Sequence, residues 1–79
     1  MNRSEIESIV LRVLGNVLKC KIDNKCSRED FNQWDSLKHI EIIFSIEDEL
    51  NIQFPEEMLS ELNDVLLIVD AASEILNES

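Results

Sequence analysis

The sequence predicts an all-α fold: a small four-helix bundle with three longer helices, a short third helix, and a long loop between helices one and two. Apolar residues recur at helical spacing along most of the chain. The composition includes one glycine, one proline and no tyrosine, which disfavours a many-stranded domain. At 79 residues there is room for one modest core, so residues 1–79 are assigned to a single domain.

The first helix is predicted from about Glu5 to Leu18. Ser4 and Glu7 have the spacing of a capping box at its start. Gly15 lies inside this helix at a cost of roughly 1 kcal/mol relative to alanine, which predicts another element packed close to the helix backbone. The apolar residues of this helix fall on one stripe, made of Ile6, Ile9, Val10, Val13, Leu14 and Val17.

Periodicity is lost over residues 19–34, which are predicted to form the long loop. Ile22, Phe31 and Trp34 are its candidate anchors, and we expect Phe31 to insert into the core. The loop also contains two cysteines, Cys20 and Cys26. They are interpreted as ordinary thiols, because a disulfide-framed fold would need more cysteines.

The second helix is predicted from Ser36 to about Leu50, with Asp35 as its N-cap and Asn51 as its C-terminal residue. On a helical wheel, His39 lies on the core side and is interpreted as a structural histidine. The core face itself consists of Ile42, Ile43, Ile46 and Leu50.

The same helix carries a second apolar stripe that a small bundle cannot fully bury. We call it the α2 stripe, and it comprises Leu37, Ile40 and Phe44. Acidic residues flank it: Glu41, Glu47 and Asp48. Scattered apolar residues are common on protein surfaces, but three beside a ring of carboxylates predict a docking face for a basic partner.

Two further helices complete the predicted bundle. Pro55 is expected at the first position of the short third helix, which ends near Glu61 or Leu62. The last helix is predicted from about Asp64 to Asn77, with Asn63 or Asp64 as its cap.

The charge distribution restricts the possible functions. The chain has 17 acidic and 7 basic residues, a formal net charge of −10. Residues 1–34 have a net charge of +1 and residues 35–79 a net charge of −11, so the excess lies in the second part. Such a surface repels nucleic acid and anionic membranes and favours recognition of a basic partner surface or of a cation. No apolar run is long enough to span a bilayer, and we expect a cytoplasmic protein. One histidine and two cysteines fall short of a zinc site, and no metal is expected.

The segment from Trp34 to Leu50, with Asp35-Ser36-Leu37 at its start, resembles the second helix of acyl carrier proteins. The resemblance extends along most of the chain, to Val13-Leu14-Gly15, Phe54-Pro55-Glu56-Glu57 and Val69-Asp70-Ala71-Ala72.

The resemblance implies a carrier and not an enzyme. Ser36 would receive 4′-phosphopantetheine from coenzyme A through a phosphopantetheinyl transferase that uses magnesium, and Asp35 would cap the helix near that metal. The protein would act as a monomer that meets basic-surfaced ligases, synthases and transferases of fatty-acid, polyketide or related biosynthesis. The implied partner contacts are Leu37, Ile40, Glu41, Phe44, Glu47 and Asp48.

The sequence also departs from fatty-acid carriers. Phe31-Asn32-Gln33-Trp34 stands where these have a Leu-Gly pair, and Lys38 occupies a position that is often acidic. These departures favour a stand-alone carrier of a specialised pathway, such as an aminoacyl or peptidyl carrier.

Three other functions compete with the carrier for a small acidic helical chain. An EF-hand over residues 23–35 fails for lack of its turn glycine. An esterase built on Ser36 and His39 lacks a third group to orient the imidazole. An acidic protein-interaction module without a prosthetic group stays open.

Overall fold

Three α-helices and two 3₁₀ helices make up the described part of the protein in the computed structural model, which covers residues 2–78 and only the backbone of Glu78. The α-helices are α1 (Arg3–Leu18), α2 (Ser36–Leu50) and α3 (Val65–Glu78), and the 3₁₀ helices are Arg28–Asp30 and Glu56–Glu61. Within these residues no strand forms, so the all-α prediction is confirmed.

Helix α1 begins earlier than predicted. Its N-cap is Asn2, whose side-chain Oδ1 accepts a hydrogen bond of 2.9 Å from the Glu5 N–H, and Ser4 lies inside the first turn. The predicted Ser4 cap is therefore wrong. Asparagine is as good an N-cap residue as serine, and a cap at Asn2 gives a longer helix. A Cβ on Gly15 would lie 3.3 Å from the carbonyl oxygen of Cys20. The close neighbour of Gly15 is therefore the backbone just after α1, and not another element as predicted.

The segment between α1 and α2 is less irregular than the predicted long loop. It contains the first 3₁₀ helix, and Ser27 forms an isolated antiparallel bridge with Asp64. The Arg28 N–H donates to the Asn63 carbonyl at 2.7 Å, and the Val65 N–H donates to the Cys26 carbonyl at 3.1 Å. These two bonds tie the segment to the start of α3.

Trp34, and not Phe31, is the aromatic residue that enters the core from this segment. Trp34 is 2% exposed, whereas Phe31 is only half-buried against the edge of the core. The prediction for Phe31 is wrong because the indole N–H of Trp34 has a buried acceptor on His39, at 3.0 Å. Because its N–H is hydrogen-bonded, the larger indole ring of Trp34 can be buried.

Helix α2 has the predicted bounds and caps. The Asp35 carboxylate accepts from the Lys38 N–H at 2.9 Å. Asn51 ends the helix in the left-handed conformation, with φ 55°, a conformation that asparagine tolerates better than most residues.

The second 3₁₀ helix and α3 follow the prediction with small shifts. Pro55 is the N-cap of the 3₁₀ helix instead of its first helical residue, and the helix ends at Glu61. Asp64 caps α3, since its Oδ1 accepts from the Leu67 N–H at 2.7 Å.

Helix α1 contacts both α2 and α3, and the core lies between these three helices. Its largest fully buried side chains come from every α-helix: Ile6, Val10, Leu14, Ile42, Ile43, Ile46, Val65, Ile68 and Val69. Across the part of the chain that is described, none of the helices combines the length and the apolar character that crossing a membrane requires.

Candidate functional site at the start of α2

Ser36 is the first residue of α2, and it is exposed. The preceding residue, Asp35, uses its carboxylate to cap the helix, so this side chain is engaged with the Lys38 N–H. The free N–H groups of the first helical turn give this end of α2 a partial positive charge. The Ser36 hydroxyl therefore combines access from solvent with a local field that favours an anionic group on its oxygen.

Arg28 brings a guanidinium group to the same hydroxyl. Its Nη2 lies 3.4 Å from Ser36 Oγ, its Nε donates to the Trp34 carbonyl at 3.2 Å, and its Nη1 donates to Asn63 Oδ1 at 3.4 Å. Asn63 is itself oriented, because its side-chain NH₂ donates to the Ser60 carbonyl at 2.7 Å. Arg28 thus joins the first 3₁₀ helix, the turn before α2 and the segment before α3.

Sequence reasoning missed Arg28 as a site residue. In the sequence it is one of six bases in residues 1–34, eight positions from Ser36 and 35 from Asn63. The charge pattern contains the only signal that could have pointed to Arg28. Lys38 is the single Lys or Arg in residues 35–79, so any other cation near Ser36 must come from residues 1–34.

A buried pair of rings, Trp34 and His39, supports the turn that precedes Ser36. His39 is 5% exposed, and its Nδ1 accepts from the Trp34 indole while its Nε2 lies 2.7 Å from the Leu59 carbonyl. An acceptor role at Nδ1 leaves the proton on Nε2, which donates to Leu59. The structural role predicted for His39 is confirmed, and neither ring nitrogen is free to serve as a base for Ser36.

The α2 stripe is exposed, as its position on the helical wheel predicts. Leu37 is 79% exposed, Phe44 61% and Ile40 48%. Two more exposed leucines, Leu66 and Leu67, lie in the first turn of α3. The core face of α2 is fully buried at the same time, so the helix has two apolar faces and only one is covered.

The three acids beside the α2 stripe have different surroundings. Asp48 is exposed, and the Glu41 carboxylate pairs with Lys38 Nζ at 3.4 Å. Glu47 is half-buried, and its Oε2 accepts from the Phe54 N–H at 2.7 Å. The Glu47 carboxylate therefore holds the chain after α2 in place, which the sequence did not indicate.

The loop acids that an EF-hand would use are engaged locally. The Asp23 Oδ1 accepts from the Lys25 N–H at 2.8 Å, and the Asp30 Oδ2 accepts from the Ser27 N–H at 3.0 Å. Among residues 2–78, His, Cys, Asp and Glu side chains do not gather in groups of three or more that could hold a metal ion.

Comparison with known proteins gives no match: no protein-family model, no curated protein and no solved structure is similar to this chain at a significant level.

The side chains present fit a phosphate ester on Ser36. Its oxygen faces solvent, the start of α2 favours negative charge, and the Arg28 guanidinium offers planar N–H donors of the kind that bind phosphate oxygens. A fully buried hydroxyl would leave no room for a phosphate ester, and a carboxylate in the place of the Arg28 guanidinium would repel it.

Proposed function

We propose that this protein is a carrier protein whose Ser36 bears 4′-phosphopantetheine. The observation that supports this most is the exposed Ser36 hydroxyl at the start of α2, with Arg28 Nη2 3.4 Å away and the exposed α2 stripe directly after it. The resemblance of Trp34–Leu50 to the second helix of acyl carrier proteins points to the same serine.

In this proposal a separate transferase supplies the chemistry of attachment. The Ser36 oxygen forms a bond to the phosphorus of coenzyme A that carries the pantetheine arm. The bond from that phosphorus to the leaving adenosine bisphosphate breaks, and the hydroxyl proton is released. When attached, the group supplies a terminal thiol that holds an acyl cargo as a thioester.

The chain's own residues would position the arm and present a face to partner enzymes. Asp35 keeps the start of α2 capped, and the Trp34–His39 pair holds the turn before it. The α2 stripe offers apolar anchors to a partner, and the exposed acids Glu41 and Asp48 favour basic surfaces. Candidate partners are the phosphopantetheinyl transferase and the basic-surfaced ligases, synthases and transferases that load or use the cargo.

Two versions of the carrier function follow from the sequence. One is an acyl carrier of fatty-acid or polyketide synthesis. The other is a stand-alone aminoacyl or peptidyl carrier of a specialised pathway, which the departures at Phe31–Trp34 and Lys38 favour.

A second candidate function belongs to another class: an acidic protein-interaction module without a prosthetic group. The exposure of Leu37, Ile40 and Phe44 supports docking equally well with or without a group on Ser36.

The experiment that separates the two is intact-mass measurement after incubation with coenzyme A, magnesium and a broad-specificity phosphopantetheinyl transferase. We expect one phosphopantetheine adduct on the wild type and on Ser45→Ala, a control on the same helix, and none on Ser36→Ala. A wild-type protein that stays unmodified would count against the carrier and favour the interaction module.

A further inference from the structure

Arg28 differs from the cations that form ion pairs. The ion pairs found within residues 2–78 are Arg3–Asp70, Arg12–Glu49 and Lys38–Glu41. Arg28 belongs to none of them, and its three hydrogen bonds go to neutral oxygens of Trp34, Ser36 and Asn63. Its positive charge is therefore held in a fixed place without a carboxylate partner, beside the hydroxyl proposed to be modified.

We propose that Arg28 binds the phosphodiester of the prosthetic group on Ser36, an inference that rests on the proposed function. A phosphorus bonded to Ser36 Oγ carries its two free oxygens two bonds beyond Oγ, the atom that Arg28 Nη2 already reaches at 3.4 Å. Guanidinium groups bind phosphate oxygens by charge-assisted hydrogen bonds, which are stronger than a bond to a neutral hydroxyl. Modification thus replaces a weak contact of Arg28 by an ionic one.

The neighbouring contacts make Arg28 a better phosphate ligand than Lys38, the other cation near Ser36. The Lys38 ammonium is drawn to the Glu41 carboxylate along the surface of α2. The Arg28 guanidinium is instead held in orientation by Trp34 and Asn63, so little side-chain freedom remains to be lost when it binds an anion. Preorganisation of this kind favours binding.

The same geometry gives the modification a structural consequence. Arg28 lies in the segment that pairs with the start of α3 through the Asn63 carbonyl and Val65 N–H. A phosphate bound to Arg28 would fasten this segment to the start of α2 and stabilise the folded state, because binding to the native form alone shifts the unfolding equilibrium. Attachment of the group would therefore raise the melting temperature through Arg28.

The test compares modified and unmodified forms of four proteins: the wild type, Arg28→Gln, Arg28→Lys and Arg12→Gln. Arg12, which pairs with Glu49, is the matched control because it is an arginine remote in sequence from Ser36. We expect the wild type and Arg12→Gln to gain the same increment in melting temperature on modification. Arg28→Gln should gain less, with Arg28→Lys between them, and the ³¹P chemical shift of the phosphodiester should change in Arg28→Gln but not in Arg12→Gln.

Equal increments and equal ³¹P shifts in all modified proteins would overturn the role of Arg28 and leave the carrier function standing. Failure of the wild type to accept the group would overturn both. If the Arg28 variants do not fold, the wild type alone decides the question by NMR. The Arg28 Hε resonance should move on modification while the Arg12 Hε resonance stays in place, and an unmoved Arg28 signal contradicts the inference.

Discussion

At the scale of single residues, the turn before Ser36 depends on polar atoms that are buried and paired. Trp34 and His39 lie with ring centroids 6.1 Å apart and share one hydrogen bond, and His39 also bonds the Leu59 carbonyl. Each polar atom of the pair has one partner, and a buried group left without its partner costs free energy. The position of Ser36 thus depends on a pair in the core that does not touch the serine itself.

The first prediction concerns Trp34→Phe. The change keeps an aromatic ring but removes the N–H donor, which leaves His39 Nδ1 as a buried acceptor without a partner. We expect the free energy of unfolding to fall by about 1–3 kcal/mol from this loss alone, measured by urea denaturation. Phe31→Leu, a change at a half-buried ring, should cost less, and the opposite order would contradict the assignment of Trp34 as the core aromatic residue.

The second prediction concerns the Cys26 thiol. Burial raises its pKa, and the Asp23 side chain raises it further, while a hydrogen bond from the Asp23 N–H acts in the opposite direction. Because folding raises this pKa, the group's contribution to stability is complete below the ordinary thiol pKa and is lost as pH rises through the folded value.

Alkylation measures this directly. In a Cys20→Ser variant, where Cys26 is the remaining thiol, the midpoint of the rate-against-pH profile for iodoacetamide should lie higher in the folded protein than in urea. Coincident midpoints would show that folding leaves the thiol unperturbed.

At the scale of elements, α2 is a helix with one covered and one uncovered apolar face. Ile43 is buried, and its neighbour Phe44 is 61% exposed. The two residues are therefore a matched pair for testing which face stabilises the fold and which is available to a partner.

The third prediction compares Ile43→Ala with Phe44→Ala. We expect Ile43→Ala to lower the free energy of unfolding by about 2–5 kcal/mol, because it leaves a cavity in the core. Phe44→Ala should change it by no more than about 0.5 kcal/mol, as is usual for exposed positions. In the modification assay, Phe44→Ala should raise the transferase KM. A large loss of stability in Phe44→Ala would mean that its ring is a core residue.

Helix α2 also shows how much local structure the sequence predicts. Its bounds, the Asp35 cap and the Asn51 end follow from short-range patterns, because each depends on residues within one or two turns. The start of α1 is not predictable in the same way, since Asn2 and Ser4 are both good caps and nothing local decides between them. The choice between Phe31 and Trp34 depended on a buried acceptor, His39, that only packing reveals.

At the scale of the whole molecule, the charge is divided along the chain. The acidic part, residues 35–79, includes α2, the second 3₁₀ helix and α3, and its net charge is −11. Crowded like charges destabilise a compact state, and cations relieve the repulsion.

The fourth prediction follows from this division. Added magnesium or calcium should raise the melting temperature more than sodium chloride at the same ionic strength, because a divalent ion neutralises closely spaced carboxylates more effectively than general screening does. Equal shifts in a melting experiment would show that screening alone is at work.

The site as a whole was only half predictable from the sequence. Ser36, Asp35 and the α2 stripe come from one continuous segment, so the helical period and the cap place them together. Arg28 and Asn63 reach the same point from positions 35 residues apart, through the pairing of Ser27 with Asp64. That pairing joins two segments far apart in the chain, and no local pattern in the sequence specifies it.

The attachment of the prosthetic group to Ser36 is tested most directly by peptide mapping of the wild-type protein after treatment with coenzyme A and transferase. Trypsin cleaves after Arg28 and Lys38, and the resulting peptide, residues 29–38, contains Ser36 as its only hydroxyl side chain. We predict that tandem mass spectrometry places the whole phosphopantetheine mass on this peptide. An adduct on residues 39–79, which contain the remaining serines after Ser36, or no adduct at all, would contradict the proposal.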